Sequence, residues 1–320
     1  MLAGLAVVAG ALSAAGTAIA IRHAHRRGML DQPGERRSHA SATPRGGGIG
    51  FVSVALLALV VLGSWQRQPG WWWIGGGLSL VAGIGWWDDH RPLPALPRLL
   101  VHALAALALA AGLTQLGAPN GIAVLGFVLA LGLVNAWNFM DGIDGLAASQ
   151  ALLCAAGFAC LLAGPWQALS VLLAGACLGF LAFNLPPARI FMGDVGSGAL
   201  GYLVAALLAA CCIGRPPTGW PLLLLPPAAM LVDSSLTLAR RALRGEAWWR
   251  PHVQHLYQRL AAKWGKHGRV TAAYAACTVV TSGAMLALDG ATGAWGVPAA
   301  CAIIALLGVL WFFFTAAAQR

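Results

Sequence analysis

The sequence predicts an all-α polytopic membrane protein of about eleven transmembrane helices, and three observations carry that prediction. Apolar residues make up 59% of the 320-residue chain and charged residues only 9%, against about 25% charge in soluble chains. Mean hydropathy is +0.75. Apolar runs of roughly twenty residues, the length one membrane crossing needs, follow one another between charged or Pro/Gly/Asn-rich breaks. They lack the strict apolar–polar alternation of a membrane barrel. This composition excludes a secreted disulfide scaffold, a disordered tail protein and an ordinary cytosolic enzyme.

The runs cover residues 1–21, 47–64, 71–87, 99–116, 121–137, 145–163, 166–183, 196–213, 219–238, 270–288 and 294–315. The first could be a cleaved leader, since Ala18-Ile19-Ala20 imitates a cleavage site. No Lys or Arg precedes it, however, and a basic cluster follows it, so a retained helix is expected. With these spans, one set of alternate loops (22–46, 88–98, 138–144, 184–195, 239–269 and the C-terminus) holds all of the twenty Lys and Arg residues except Arg67 and Arg215. By the positive-inside rule those loops are cytoplasmic, the N-terminus periplasmic and the C-terminus cytoplasmic. The net charge of +10 is then membrane topology, with attraction to anionic headgroups as a compatible second reading. No basic face with interleaved aromatics lies outside the spans, so no nucleic-acid partner is expected. The seven cysteines fall inside the runs without a C-x-x-C pair and read as small packing residues. Tryptophans, among them Trp71 and Trp311, gather at the run ends as an interfacial belt.

Against that background the ten carboxylates are informative, because acids near a bilayer are costly unless paired or liganded. Asp31 and Glu35 stand among arginines (Arg26, Arg27, Arg36, Arg37) that can pair with them. Asp88 and Asp89 are adjacent at the exit of the third run, where their repulsion calls for a divalent cation or a basic neighbour. Asn135, Asn138, Asp141 and Asp144 recur every third residue, so a helical turn would align them on one drifting face. Two amides and two acids there could accept N–H groups or ribose hydroxyls and ligate a metal. Gly193-Asp194-Val195-Gly196-Ser197 opens the eighth run. Asp194 is either a helix cap or a Mg2+ ligand beside N–H groups facing a phosphate.

Two basic loops complete the pattern. His252 and His255, flanked by Arg250 and Arg259, suit anion contacts or proton transfer rather than a zinc site, which would need more ligands. The same loop also reads as an amphipathic interfacial helix with Trp248, Trp249, Leu256 and Leu260 on its apolar face. Thr43-Pro44-Arg45-Gly46-Gly47-Gly48 lacks the G-K-[ST] of a nucleotide loop. Thr43 and Arg45 are its candidate contacts to a lipid phosphate or headgroup, and a positive-inside loop with nothing bound explains it equally.

Taken in order, Asp31-x-Pro33, Thr43-Pro44-Arg45-Gly46-Gly47-Gly48, Asp88-Asp89, N-x-x-N-F-x-D-G-x-D-G-L-A from Asn135, G-D-x-G-S from Gly193 and the His loop resemble the polyprenyl-phosphate N-acetylhexosamine-1-phosphate transferases. The resemblance runs from about Asp31 to Arg269. It implies one integral membrane domain over residues 1–320, with loops 22–46, 88–98, 138–144, 184–195 and 239–269 as its active face. It implies transfer of a sugar 1-phosphate from a UDP-N-acetylated sugar to undecaprenyl phosphate, releasing UMP, with Mg2+ (or Mn2+ as a substitute). Location in the bacterial inner membrane and a homodimer are further expectations. By residue it implies Asp88 and Asp89 as catalytic residues at the lipid phosphate, and Asp194 as a catalytic residue on Mg2+. Phe191 would lie against uracil, with Asn135, Asn138, Asp141 and Asp144 on the nucleotide side and His252 and His255 at the diphosphate. Gln254 replaces the middle histidine of the family's H-x-H-H form, and no lysine lies between His39 and Thr43. Both departures argue against the muramoyl-pentapeptide branch, and the Thr43-Pro44-Arg45-Gly46-Gly47-Gly48 and His252-x-x-His255-x-x-Gln258-Arg259-Leu260 forms resemble the O-antigen-initiating branch, with an N-acetylated hexosamine or deoxyhexosamine donor.

Elementary chemistry favours direct attack. The second pKa of a phosphomonoester is about 6, so the lipid phosphate is already a nucleophilic dianion near pH 7. It needs alignment and charge neutralisation. Other classes compete on single motifs. Asp141-x-x-Asp144 suits a Mg2+-dependent intramembrane prenyltransferase, and Asp144-Gly145 a CDP-alcohol phosphotransferase. An ion-coupled transporter would bury acids at mid-helix, as only Asp233 hints.

Overall fold

The computed structural model describes residues 1–31, 42–247, 252–289 and 296–318. Glu35, Arg36, Arg37, His39, Trp248, Trp249 and Arg250, named above, lie outside them. The described residues form α1 (Leu2–Arg27), α2 (Ile49–Gln66), α3 (Pro69–His90), α4 (Ala95–Gln115), α5 (Asn120–Met140), α6 (Leu146–Ala159) and α7 (Gly164–Asn184). After them come α8 (Asp194–Cys212), a 3-10 helix (Pro217–Leu224), α9 (Ala228–Leu243), α10 (Leu256–Trp264), α11 (His267–Asp289) and α12 (Gly296–Ala317).

The protein is an all-α polytopic membrane protein, and every apolar run falls on helix. Among the described residues eight helices are long and apolar enough to cross a membrane, nine if one broken pair counts as a span. The broken pair is the predicted span 219–238. Its 3-10 helix and α9 meet at 83°, because Pro226 and Pro227 remove two N–H donors and clash with the preceding turn. The predicted span 145–163 is α6, only 14 residues long and so about 21 Å at the usual rise. α3 has the length, but glycines and tryptophans interrupt its apolar run and two acids end it.

α8 is the centre of the bundle. Every residue from Val195 to Cys212 is buried, and α5 and α3 pack against it. Its neighbours turn apolar side chains such as Val124, Leu178 and Phe313 outward instead. The tryptophan belt needs correcting at two positions. Trp71 is buried with its ring 4.7 Å from that of Trp166, and Trp311 is buried with its N–H bound to Asp233. The seven cysteines are all free, with Cys154, Cys177, Cys211 and Cys212 buried as packing residues.

A short ribbon escaped sequence reading. Leu30–Asp31 (β1) pairs antiparallel with Thr43–Pro44 (β2), Leu30 opposite Pro44 and Asp31 opposite Thr43. The chain then runs along the segment before α8. Phe191 N–H donates to Pro44 O at 2.8 Å, while Gly47 and Gly48 donate to Phe191 O and Met192 O at 2.9 Å. Those bonds bring Arg45 beside α8.

Candidate active site

The last turn of α3 meets the first turn of α8. Asp89 Oδ1 accepts the N–H of Asp194 at 2.9 Å and Oδ2 that of Val195 at 3.1 Å. α8 has no side-chain cap of its own, so an acid from another helix satisfies its orphan donors and its positive dipole end. Gly193 makes the approach possible. Its φ is 77°, and the Asp89 carboxylate occupies the place where a Cβ would stand.

Two arginines clamp the same point. Arg45 places Nε 2.8 Å from Asp89 and Nη2 2.9 Å from Asp194. Arg98 places Nη1 3.1 Å from Asp88 and 2.8 Å from Asp194. Asp88 also accepts the Leu93 N–H at 2.6 Å, which holds the α3–α4 turn beneath Arg98. The Asp89 side chain is only 1% exposed and that of Asp194 19%. The adjacent acids are thus reconciled by basic neighbours, each acid orienting one guanidinium.

The α5–α6 junction supplies the facing wall. Asn135 donates to Leu131 O within its own helix at 2.7 Å, and Asn138 donates to Ser197 Oγ on α8 at 3.2 Å. The expected stripe ends there, because α5 stops at Met140 and Asp141 and Asp144 lie in the turn beyond it. Asp141 is half-buried. Its acid is pushed up to about 7, by burial first and then by the charge of Asp194, with Arg45 opposing. Asp144 turns to other partners: its Oδ2 accepts Ala188 N–H at 3.1 Å and its Oδ1 lies 3.1 Å from His267 Nδ1. Asn184 bridges the same loops, accepting Gly145 N–H at 3.0 Å and donating to Ile190 O at 2.9 Å.

Two cavities converge on this cluster. A polar one of about 240 Å³ is lined by Arg45, Asn138, Asp141, Asp144, Phe191, Asp194, Gln258 and His267. An apolar one of about 750 Å³ runs between α4, α5 and α9, where Arg98, His102, Asn135 and Asn138 join leucines and alanines. Asn138 lines both. The two predicted histidines line neither. His255 is buried with its ring 6.2 Å from Phe139, and the His252 ring lies tilted against it at 4.8 Å. Burial first, then His255 and Arg241, push His252 down to about 4. Thr43 is buried in β2.

Comparison with known proteins agrees with this geometry. Residues 71–211, which hold Asp88, Asp89, the α5–α6 motif and Asp194, match the model of glycosyl transferase family 4. The decaprenyl-phosphate N-acetylglucosaminephosphotransferase of Mycobacterium tuberculosis is 33% identical over 293 residues, covering 77% of this chain and 72% of that protein. The chain belongs to the polyprenyl-phosphate N-acetylhexosamine-1-phosphate transferases. A probable undecaprenyl-phosphate N-acetylglucosaminyl 1-phosphate transferase of Bacillus subtilis is 28% identical over 77% of this chain and 73% of its own length. A phospho-N-acetylmuramoyl-pentapeptide-transferase of Synechococcus is 34% identical, over 56% of this chain and 59% of its own. Membership makes the protein a membrane-embedded enzyme that moves a sugar phosphate onto a prenyl phosphate.

In this transferase, Arg98, His102 and His267 join the site although no motif announced them, and Gln258 joins it from the His loop in place of the two histidines. Arg98 and His102 lie one turn apart on α4, a spacing that could have drawn attention to them. The donor set also suits a divalent cation. Among the described residues no three His, Cys, Asp or Glu side chains gather to hold a metal, yet Mg2+ commonly takes one or two carboxylates plus substrate phosphates. Asp194 and Asp141 flank the polar cavity. No described residue donates a hydrogen bond to the Asp141 carboxylate, which leaves its oxygens for such an ion.

Proposed function

We propose that this transferase moves N-acetylglucosamine 1-phosphate from UDP-N-acetylglucosamine to undecaprenyl phosphate, releasing UMP and starting a lipid-linked surface glycan such as O-antigen. The observation that carries this reading is the convergence of a polar and an apolar cavity on one carboxylate–arginine cluster, with Asn138 in the wall of both. A water-soluble diphosphate and a lipid monophosphate need that arrangement. The names of the relatives support N-acetylglucosamine as the sugar.

In this account the nucleotide sugar occupies the polar cavity, with Phe191 beside the base and Asn138 and Gln258 as polar contacts. The prenyl chain lies along α4, α5 and α9. Its phosphate, a dianion near pH 7, attacks the sugar-bearing phosphorus, and the bond to the bridging oxygen breaks so that UMP leaves with that oxygen. Arg45 and Arg98 neutralise charge that develops in transit. Mg2+ (or Mn2+), held by Asp194 and Asp141, would offset the charge of the diphosphate. Asp89 already accepts three donors, so its part is to hold Asp194 and Arg45, and Asp88 does the same for Arg98. Asp144 is committed to Ala188 and His267, which weakens the prenyltransferase reading of Asp141-x-x-Asp144. The basic loops put the reaction on the cytoplasmic face of the inner membrane.

The test is UMP release by purified enzyme in nanodiscs given undecaprenyl phosphate, Mg2+ and single UDP-sugars. Turnover with UDP-N-acetylglucosamine and recovery of a lipid-diphosphate sugar is the expected result. Turnover confined to another UDP-sugar would overturn the donor, and no UMP from any would overturn the reaction.

A further inference from the structure

Asp233 is an acid that the two cavities leave unused. It sits in the second turn of α9 and is 1% exposed. Its carboxylate accepts the N–H of Leu256 at 2.8 Å, the N–H of Tyr257 at 3.1 Å and the hydroxyl of Tyr274 at 2.7 Å. The Trp311 N–H at 3.0 Å and the Thr237 hydroxyl at 3.2 Å add two more donors, and His255 Nδ1 lies 3.8 Å from Oδ1. A buried carboxylate is tolerated only when its lone pairs are filled in this way. The donors come from α9 itself, α10, α11 and α12, and the pair from Leu256 and Tyr257 are the first N–H groups of α10. Asp233 thus serves α10 as Asp89 serves α8, here beside a cap that α10 makes itself, in which Gln258 Oε1 accepts the His255 N–H at 3.2 Å.

The contact continues toward the polar cavity. The Tyr257 hydroxyl donates to Phe139 O near the end of α5 at 3.0 Å. The same hydroxyl fills the space that a Cβ on Gly142 would need, which accounts for glycine next to Asp141. Gln258, one residue on, lines the cavity itself.

We propose that Asp233 is a positioning residue for the transfer reaction: it anchors α10 so that Tyr257 fixes the Asp141 turn and Gln258 faces the nucleotide sugar. This rests on the reading that the polar cavity takes the nucleotide. A carboxylate that merely held the bundle together would change the yield of folded enzyme and leave substrate affinity alone. The acceptor cavity has no α10 residue in its lining and meets this contact only at Phe139.

The experiment uses full-length enzyme carrying Asp233→Asn or Tyr257→Phe, assayed with UDP-N-acetylglucosamine and undecaprenyl phosphate and normalised to monodisperse protein. The KM for UDP-N-acetylglucosamine is expected to rise about tenfold in Asp233→Asn and about threefold in Tyr257→Phe, on the scale of one or two hydrogen bonds. The KM for undecaprenyl phosphate should change less, within about twofold, since these bonds reach that cavity only through the Phe139 carbonyl. Tyr257→Phe removes one oxygen only, so it decides the matter if Asp233→Asn does not fold. An unchanged nucleotide KM in Tyr257→Phe, or equal shifts in both KM values, would overturn the proposal. Wild-type enzyme that releases no UMP would instead overturn the function on which it rests.

Discussion

Asp89 accepts the backbone N–H of Asp194 at 2.9 Å, so the end of α3 fixes where the buried central helix begins. Because Asp194 also lies between two arginines, this hydrogen bond joins the architecture of the bundle to its chemistry.

Asp89→Ala should therefore weaken the fold and the reaction together. Loss of two charge-assisted bonds at a helix start, with Arg45 left short of a partner, is expected to cost about 3 kcal/mol. Thermal unfolding in detergent would record the lowered midpoint, with UMP release falling alongside. Asp89→Asn keeps one carbonyl acceptor and should recover part of the midpoint.

Arg98 tests the clamp. Its single Nη1 reaches both Asp88 and Asp194, and a lysine side chain, one atom shorter and with its charge confined to the ammonium, does not bring its nitrogen to that point. Arg98→Lys should lower kcat about 100-fold, as loss of one preorganised donor does, with near-normal unfolding. A lysine variant of wild-type kcat would remove Arg98 from the reaction.

Asp141 offers an opposed pair of effects. It faces other negative charge without a hydrogen-bond donor among the described residues, so Asp141→Asn should raise the unfolding midpoint of metal-free enzyme. The same variant should need more Mg2+ for half-maximal activity and gain less thermal protection from added Mg2+. A midpoint that falls, or an unaltered Mg2+ requirement, would contradict its assignment.

His252 gives the pH dependence a sign. The folded protein holds it near 4, whereas an unfolded histidine titrates at about 6.5. Between those values the unfolded chain takes up a proton that the folded one refuses, so stability falls as pH drops from 6.5 toward 4 and is unaffected above. His252→Gln should flatten that acid limb in unfolding midpoints measured from pH 7.5 to 4.5.

Reading the sequence worked where chemistry is written locally. The Asn135–Ala147 and Gly193–Ser197 motifs announced themselves because several costly polar residues crowd a short stretch beside the membrane. Arg98 gave no such signal, since its partner Asp194 is 96 residues away. Asp233 looked like an isolated mid-helix acid until α10, α11 and α12 converged on it. The expected alignment of Asp141 and Asp144 failed because helical periodicity stops at Met140, where the glycines take over. Hydropathy likewise joined 219–238 into one span, since leucines and prolines are equally free of charge while only prolines break the ladder.

The complete enclosure of α8 has a mechanical consequence. The described residues around it shield Val195–Cys212 of the helix that begins at Asp194, so lipid would meet the outer helices instead. Changes in bilayer thickness or tension therefore reach the helix carrying Asp194 only through the helices packed around it.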